Sequence, residues 1–142
     1  MMPNPSTDAR DKHSCILTYD ETEHWMQAVW YGFIDPLGAQ RGADAYLHHA
    51  TQRPSPYLLN DNSRLHGPWF EGLEWLREVW MPEATRLGLR YVAHIQQAAW
   101  HHDVLLTSGA CQLPFDLQIF REVEDAKAWL RHMRDADVAE AP

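Results

Sequence analysis

Cysteine is nearly absent from this chain. Cys15 and Cys111 are the only two in 142 residues. Almost a hundred positions apart, they make neither a metal-binding spacing nor the cysteine framework of a small secreted domain. Each is expected to serve as a small apolar filler. Lysine is equally scarce, with Lys12 and Lys127 alone, and no basic stripe runs along the chain. Twelve Lys and Arg stand against twenty Asp and Glu, a net charge of −8. That balance argues against nucleic acid or an anionic membrane as a partner, because both are bound by clustered cations that replace counterions. No apolar run approaches the roughly 18 residues of a membrane-crossing helix. No apolar stretch of the secretory kind follows Met1, so the cytoplasm is the expected compartment. The glycines Gly38, Gly42, Gly67 and Gly72 fit neither G-x-G-x-x-G nor a P-loop.

What is present is ordinary for one globular domain: 45% hydrophobic residues and 23% charged, enough to bury a core. Residues 1–13 read as a flexible polar tail, 14–134 as the domain, and 135–142 as a frayed acidic tail. Seven tryptophans are spread through the chain without a repeat, and nine histidines make its charge sensitive to pH below about 6.5.

The centre of the sequence is Tyr57 to Pro68 and the Trp-rich segment behind it. The apolar run Tyr57-Leu58-Leu59 reads as a strand. Asn60 to Gly67 reads as a loop of turn formers. From Trp69 to Leu87 the spacing predicts a helix with Trp69, Leu73, Leu76, Trp80 and Leu87 on one stripe, flanked by Gly72 and Val79. Glu71, Glu74, Glu78 and Thr85 take the opposite face. Pro68 suits the first turn, Pro82 predicts a kink near Met81, and Gly88 is the expected C-cap.

Ahead of this centre, Ile16–Tyr19 and the aromatic-rich Trp25–Phe33 are expected to form a hairpin around Asp20–Glu23. Neither side of the second strand is cleanly polar, so both are expected to be covered. Asp35 and Pro36 mark a helix start, and Pro54 and Pro56 close that segment. After the centre come a strand within Leu89–Ile95, a stretch from Gln96 to Pro114 that reads either as one helical turn at Val104–Leu106 or as an irregular loop, a strand at Asp116–Phe120, and a helix whose apolar face is Val123, Ala126, Trp129, Leu130 and Met133. The order β-β-α-β-α-β-(α)-β-α predicts an α/β fold, with a mixed sheet of about five strands and one antiparallel hairpin at its start.

Several of these pieces together resemble a known family. The opening Leu17-Thr18-Tyr19-Asp20 with Trp25, the run Tyr57-Leu58-Leu59-Asn60-Asp61, the segment Glu78-Val79-Trp80-Met81-Pro82 with Gly88, and Phe120 followed by Val123-Glu124-Asp125-Ala126 and Trp129-Leu130 span residues 15–133. In this order they resemble the STAS domain of bacterial anti-sigma-factor antagonists, and more closely its small STAS-like (SpoIIAA-like) branch. The resemblance implies a non-enzymatic regulatory or protein-interaction module without a cofactor, acting on a protein partner or by self-association, a homodimer being one form of the latter. It also implies a Ser or Thr phosphoswitch after the third strand. Here that junction reads Leu65-His66-Gly67-Pro68-Trp69, without a hydroxyl, and Ser63 is the nearest one.

The residues themselves offer no specific catalytic motif. Asp61, Asn62, Ser63 and His66 are the candidate interaction or ligand loop, because ligands gather beyond the carboxyl ends of strands in an α/β sheet. No nucleophile elbow surrounds Ser63. The adjacent pairs His48-His49 and His101-His102-Asp103 diverge by about 100° on a helix, so neither forms a metal site alone; no metal or catalytic residue is assigned. Two alternatives stand beside the module reading: a small apolar ligand or lipid held in a tryptophan-lined pocket, and a His/Asp metal-dependent hydrolase.

Overall fold

The computed structural model describes residues 14–66, 73–97 and 113–140. Its elements run β1 Ser14–Asp20, β2 Trp25–Phe33, α1 Pro36–Gln52, β3 Tyr57–His66, α2 Leu73–Trp75, a π-helical turn Leu76–Trp80, α3 Met81–Arg86, β4 Tyr91–Ile95, β5 Asp116–Phe120 and α4 Val123–Glu140. The five strands form one sheet in sequential order. β1 pairs antiparallel with β2, and the remaining three pairings are parallel. This is the expected α/β mixed sheet. The possible helical turn at 104–106 falls outside the described residues.

The local signals act as their chemistry dictates. In the hairpin turn, Asp20 Oδ1 accepts from the backbone N–H of Thr22 and of Glu23, both at 2.9 Å. Asp35 caps α1, accepting from Gly38 N–H at 2.6 Å, with Pro36 in the first turn. Pro82 lacks the N–H that an α-helix would use at that position. The backbone answers with the π-helical turn, in which Met81 N–H reaches back to the Leu76 carbonyl. Gly88, at φ +108°, ends α3. Its N–H bonds the Thr85 carbonyl while Leu89 N–H bonds that of Ala84, the paired arrangement of a Schellman cap.

Strand alternation divides the core into two. On one face Cys15, Leu17, Met26, Ala28, Leu58 and Val92 meet Tyr46 and Ala50 of α1 and Met81 and Ala84 of α3. On the other, Trp25, Tyr57, Leu59, Tyr91, Ala93 and Ile95 meet Ala126 and Leu130 of α4. Both sides of β2 therefore contribute to packed layers, as its mixed composition implied.

Two expectations are corrected. The stretch from Asn60 to His66 is strand, not loop. The turn chemistry of Asp61-Asn62-Ser63 makes a bulge: Val29 is in register with Asp61 and Tyr31 with Arg64, so Asn62 and Ser63 together oppose Trp30. Asp61 Oδ1 accepts from Ser63 N–H at 2.9 Å within that bulge. The second correction is at the C-terminal end, where α4 continues to Glu140 and residues 135–140 are helical rather than frayed. Asp137 fastens this turn to the sheet, accepting from the hydroxyls of Tyr57 at 3.0 Å and Tyr91 at 3.1 Å.

Candidate functional site

Between the sheet and the α1–α3 layer lies a cavity of about 110 Å³. Its sheet wall carries Leu17, Ala28, Trp30, Leu58, Val92 and Leu117, and its helix wall carries Ala39, Ala43, Tyr46, Leu76, Trp80 and Met81. Among the described residues, no Asp, Glu, Lys or Arg lines it. The π-helical turn sets Leu76 at the wall, and α3 follows directly with Met81. Trp80 packs its ring against Tyr46, 5.4 Å between centroids, and against Phe115 at 6.4 Å. Its indole N–H donates to the Ala43 carbonyl at 3.0 Å, joining the two helical segments.

Gly42 explains how Trp30 is accommodated. A Cβ on Gly42 would fall 2.5 Å from the Trp30 ring. The bare backbone of α1 therefore lets the indole lie flush beneath the helix, at the cost in helix propensity that glycine carries.

One part of the wall is polar. Trp30 Nε1–H donates to Asn60 Oδ1 at 2.9 Å. An indole nitrogen can only donate, so this contact fixes which way the Asn60 amide points. Asn60 Nδ2 then donates to His94 Nδ1 at 2.9 Å and to Asn62 Oδ1 at 3.3 Å. Nδ1 of His94 is thereby the acceptor, which puts the ring proton on Nε2. His94 is 1% exposed and Asn62 3%. Burial raises the Tyr46 hydroxyl and the Cys15 thiol well above their ordinary pKa values, so both are protonated at neutral pH.

Of the four residues expected to form an interaction or ligand loop, Asn62 alone lines this cavity. Asp61 sits in register with Val29, which belongs to the opposite face of the sheet. Ser63 is half-buried in the bulge, inside a strand. His66, at the end of β3, packs its ring on Phe33 at 5.6 Å. The four do not converge. Asn60, His94, Trp30 and Tyr46 line the cavity without having been expected to. The available signal was a lone polar residue inside an apolar strand, Asn60 after Tyr57-Leu58-Leu59 and His94 within Tyr91–Ile95. Trp69 and the pair His101-His102 with Asp103 lie outside the described residues. His48 and His49 sit adjacent on α1 with ring centroids 6.3 Å apart, and burial, followed by the charge of His48, lowers the His49 pKa. Among the described residues no three His, Cys, Asp or Glu side chains are grouped to hold a metal ion. Among the same residues no helix is long and apolar enough to cross a membrane. No protein-family model matches this chain, and no curated protein matches it.

Proposed function

We propose that this chain is a STAS-like binding module, without chemistry of its own, that holds a small apolar molecule between its sheet and the α1–α3 layer. The observation that carries this reading is the cavity: a well-formed apolar space with a few convergent polar groups is the usual form of a small-molecule site. Its size narrows the occupant. A protein cavity of about 150 Å³ accepts benzene, so 110 Å³ suits a compact molecule and not a whole lipid.

The test is a titration of the isotopically labelled protein with toluene, followed by amide NMR shifts. Toluene is expected to move the amides of residues around Trp30, Tyr46 and Trp80. Gly42→Ala, which displaces the Trp30 ring, is expected to weaken that response. Saturating toluene that moves none of these amides defeats the reading.

A second reading, association with a protein or with another copy, is favoured by one surface. α4 covers β3, β4 and β5. On the same face beyond it, Phe33 is 62% exposed and Ile16 38%, with Val29 and Tyr31 half-buried between them. Sedimentation of the purified protein tests it: a dimer that Phe33→Glu converts to monomer supports association through this surface, and a monomer at high concentration removes self-association.

A further inference from the structure

Two residues that line the cavity each carry a buried polar group with no partner among the described residues. The Trp30–Asn60–Asn62 row is oriented from one end, because the indole N–H fixes the Asn60 amide, and that amide in turn takes up the oxygen of Asn62. The Asn62 Nδ2 is left over. Among the described residues nothing accepts from it, although the residue is 3% exposed. On the helix wall, the hydroxyl of Tyr46 is in the same condition. The residue is 3% exposed, its ring packs on Trp80, and no hydrogen bond engages its oxygen among the described residues. Buried polar groups in native proteins are almost always bonded, and an unmet one costs stability. Two on one small cavity, one from the sheet and one from the helix, mark the positions where a ligand atom completes the bonding.

We infer that the ligand is an uncharged compound of about six to eight non-hydrogen atoms whose apolar body carries a hydrogen-bond acceptor, of the kind a ketone, ester or lactone carbonyl supplies. This rests on the reading of the cavity as a ligand site. The acceptor is required because the group left over on Asn62 is a donor, and the Tyr46 hydroxyl also has a proton to give. The absence of charge is required because among the described residues no Lys or Arg lines the wall to neutralise a carboxylate or phosphate, and no Asp or Glu to receive an ammonium. The body is apolar because aromatic and aliphatic side chains make up the rest of the lining. Asn62 is thus the specificity-determining residue and Tyr46 its counterpart across the cavity.

The experiment compares three small probes, cyclohexanone, toluene and the larger, charged benzoate, by NMR titration of the intact chain. Cyclohexanone is expected to bind and to shift the side-chain amide resonances of Asn62. Benzoate is expected not to bind. Asn62→Leu is expected to weaken cyclohexanone by about tenfold while toluene binds as well as before, which also shows that the variant is folded. Should Asn62→Leu not fold, Tyr46→Phe, which removes a single oxygen, is expected to give the same selective weakening. Cyclohexanone affinity unchanged in both variants overturns the inference, as does benzoate binding as tightly as cyclohexanone. Failure of every probe, toluene included, instead defeats the underlying reading that the cavity takes a small molecule.

Discussion

The two faces of the sheet are built from alternate residues of the same strands, yet they close in different ways. Under α4 the layer is completed by the protein itself. Tyr57 and Tyr91 stack at 5.6 Å, nearly parallel, Trp129 meets the Tyr91 edge, and both hydroxyls reach Asp137. At the far edge Glu23 gathers Arg131 and Arg134, whose Nη1 lies 3.0 Å from its carboxylate. Under α1 and α3 the sheet presents Asn60, Asn62 and His94 beside small residues such as Ala28, and the layer retains a cavity. The difference teaches where to look for a binding function in an α/β layer. A face whose polar groups are satisfied by its own helix is structural, and a face with donors unmet among the described residues is the one to test for a ligand.

The largest expected effect attacks the closed face. Leu130 is fully buried against the sheet. Leu130→Ala removes that side chain and leaves a cavity, which is expected to cost about 2–5 kcal/mol of unfolding free energy. A denaturant titration measures it. Because α4 and the cavity lie on opposite sides of the sheet, the proposed binding of toluene should survive in the folded protein with unchanged affinity. A matching loss of binding would show that the two faces are not independent.

A smaller effect separates two neighbouring asparagines on the open face. Asn60 accepts from Trp30 and donates to His94, so Asn60→Leu strands partners on both sides and is expected to destabilise by about 1–3 kcal/mol. Asn62→Leu removes a donor that has no acceptor among the described residues, and an oxygen that Asn60 Nδ2 shares with the closer His94, so it is expected to cost less than Asn60→Leu. Equal losses from the two substitutions would mean that Asn62 is as fully satisfied as Asn60, and the contrast between the faces would disappear.

The same contrast explains what the sequence disclosed. Signals that act within a few residues were legible: Asp35 and Pro36 at the start of α1, Gly88 at the end of α3, and the alternation that split β2 between two cores. Pro82 announced an irregularity near Met81, and it took the form of a π-helical turn. Signals completed across the fold were not legible. Asn60 reads as a turn former until Trp30, thirty positions earlier, and His94, thirty-four later, are seen to satisfy it. Asp137 reads as part of an acidic tail until Tyr57, eighty positions away, is found against it. The candidate group Asp61, Asn62, Ser63 and His66 failed to converge for a related reason: strand alternation turns Asn62 to the cavity and Asp61 to the opposite face, and the bulge then shifts the alternation so that Leu65, not His66, reaches the cavity.

The smallest effect tests the edge of the closed face, and pH gives it a signature. Hydrogen bonding from Arg131, ahead of that from Arg134, holds the Glu23 carboxyl below its usual range, although partial burial opposes the shift. A carboxylate whose pKa is lower in the folded state binds fewer protons there than in the unfolded chain. Its contribution is therefore complete above the ordinary glutamate value of 4.5 and is lost as the pH falls through the folded value. Glu23→Gln is accordingly expected to cost about 1 kcal/mol at neutral pH, the size of a partly exposed charged pair. That gap should narrow as the solution is acidified below pH 4.5. Glu21, paired with Arg53, and Glu83, paired with Arg86, titrate in both proteins and cancel from the comparison. Parallel stability curves down to low pH would show that Glu23 holds the hairpin to α4 by packing and neutral hydrogen bonding rather than by its charge.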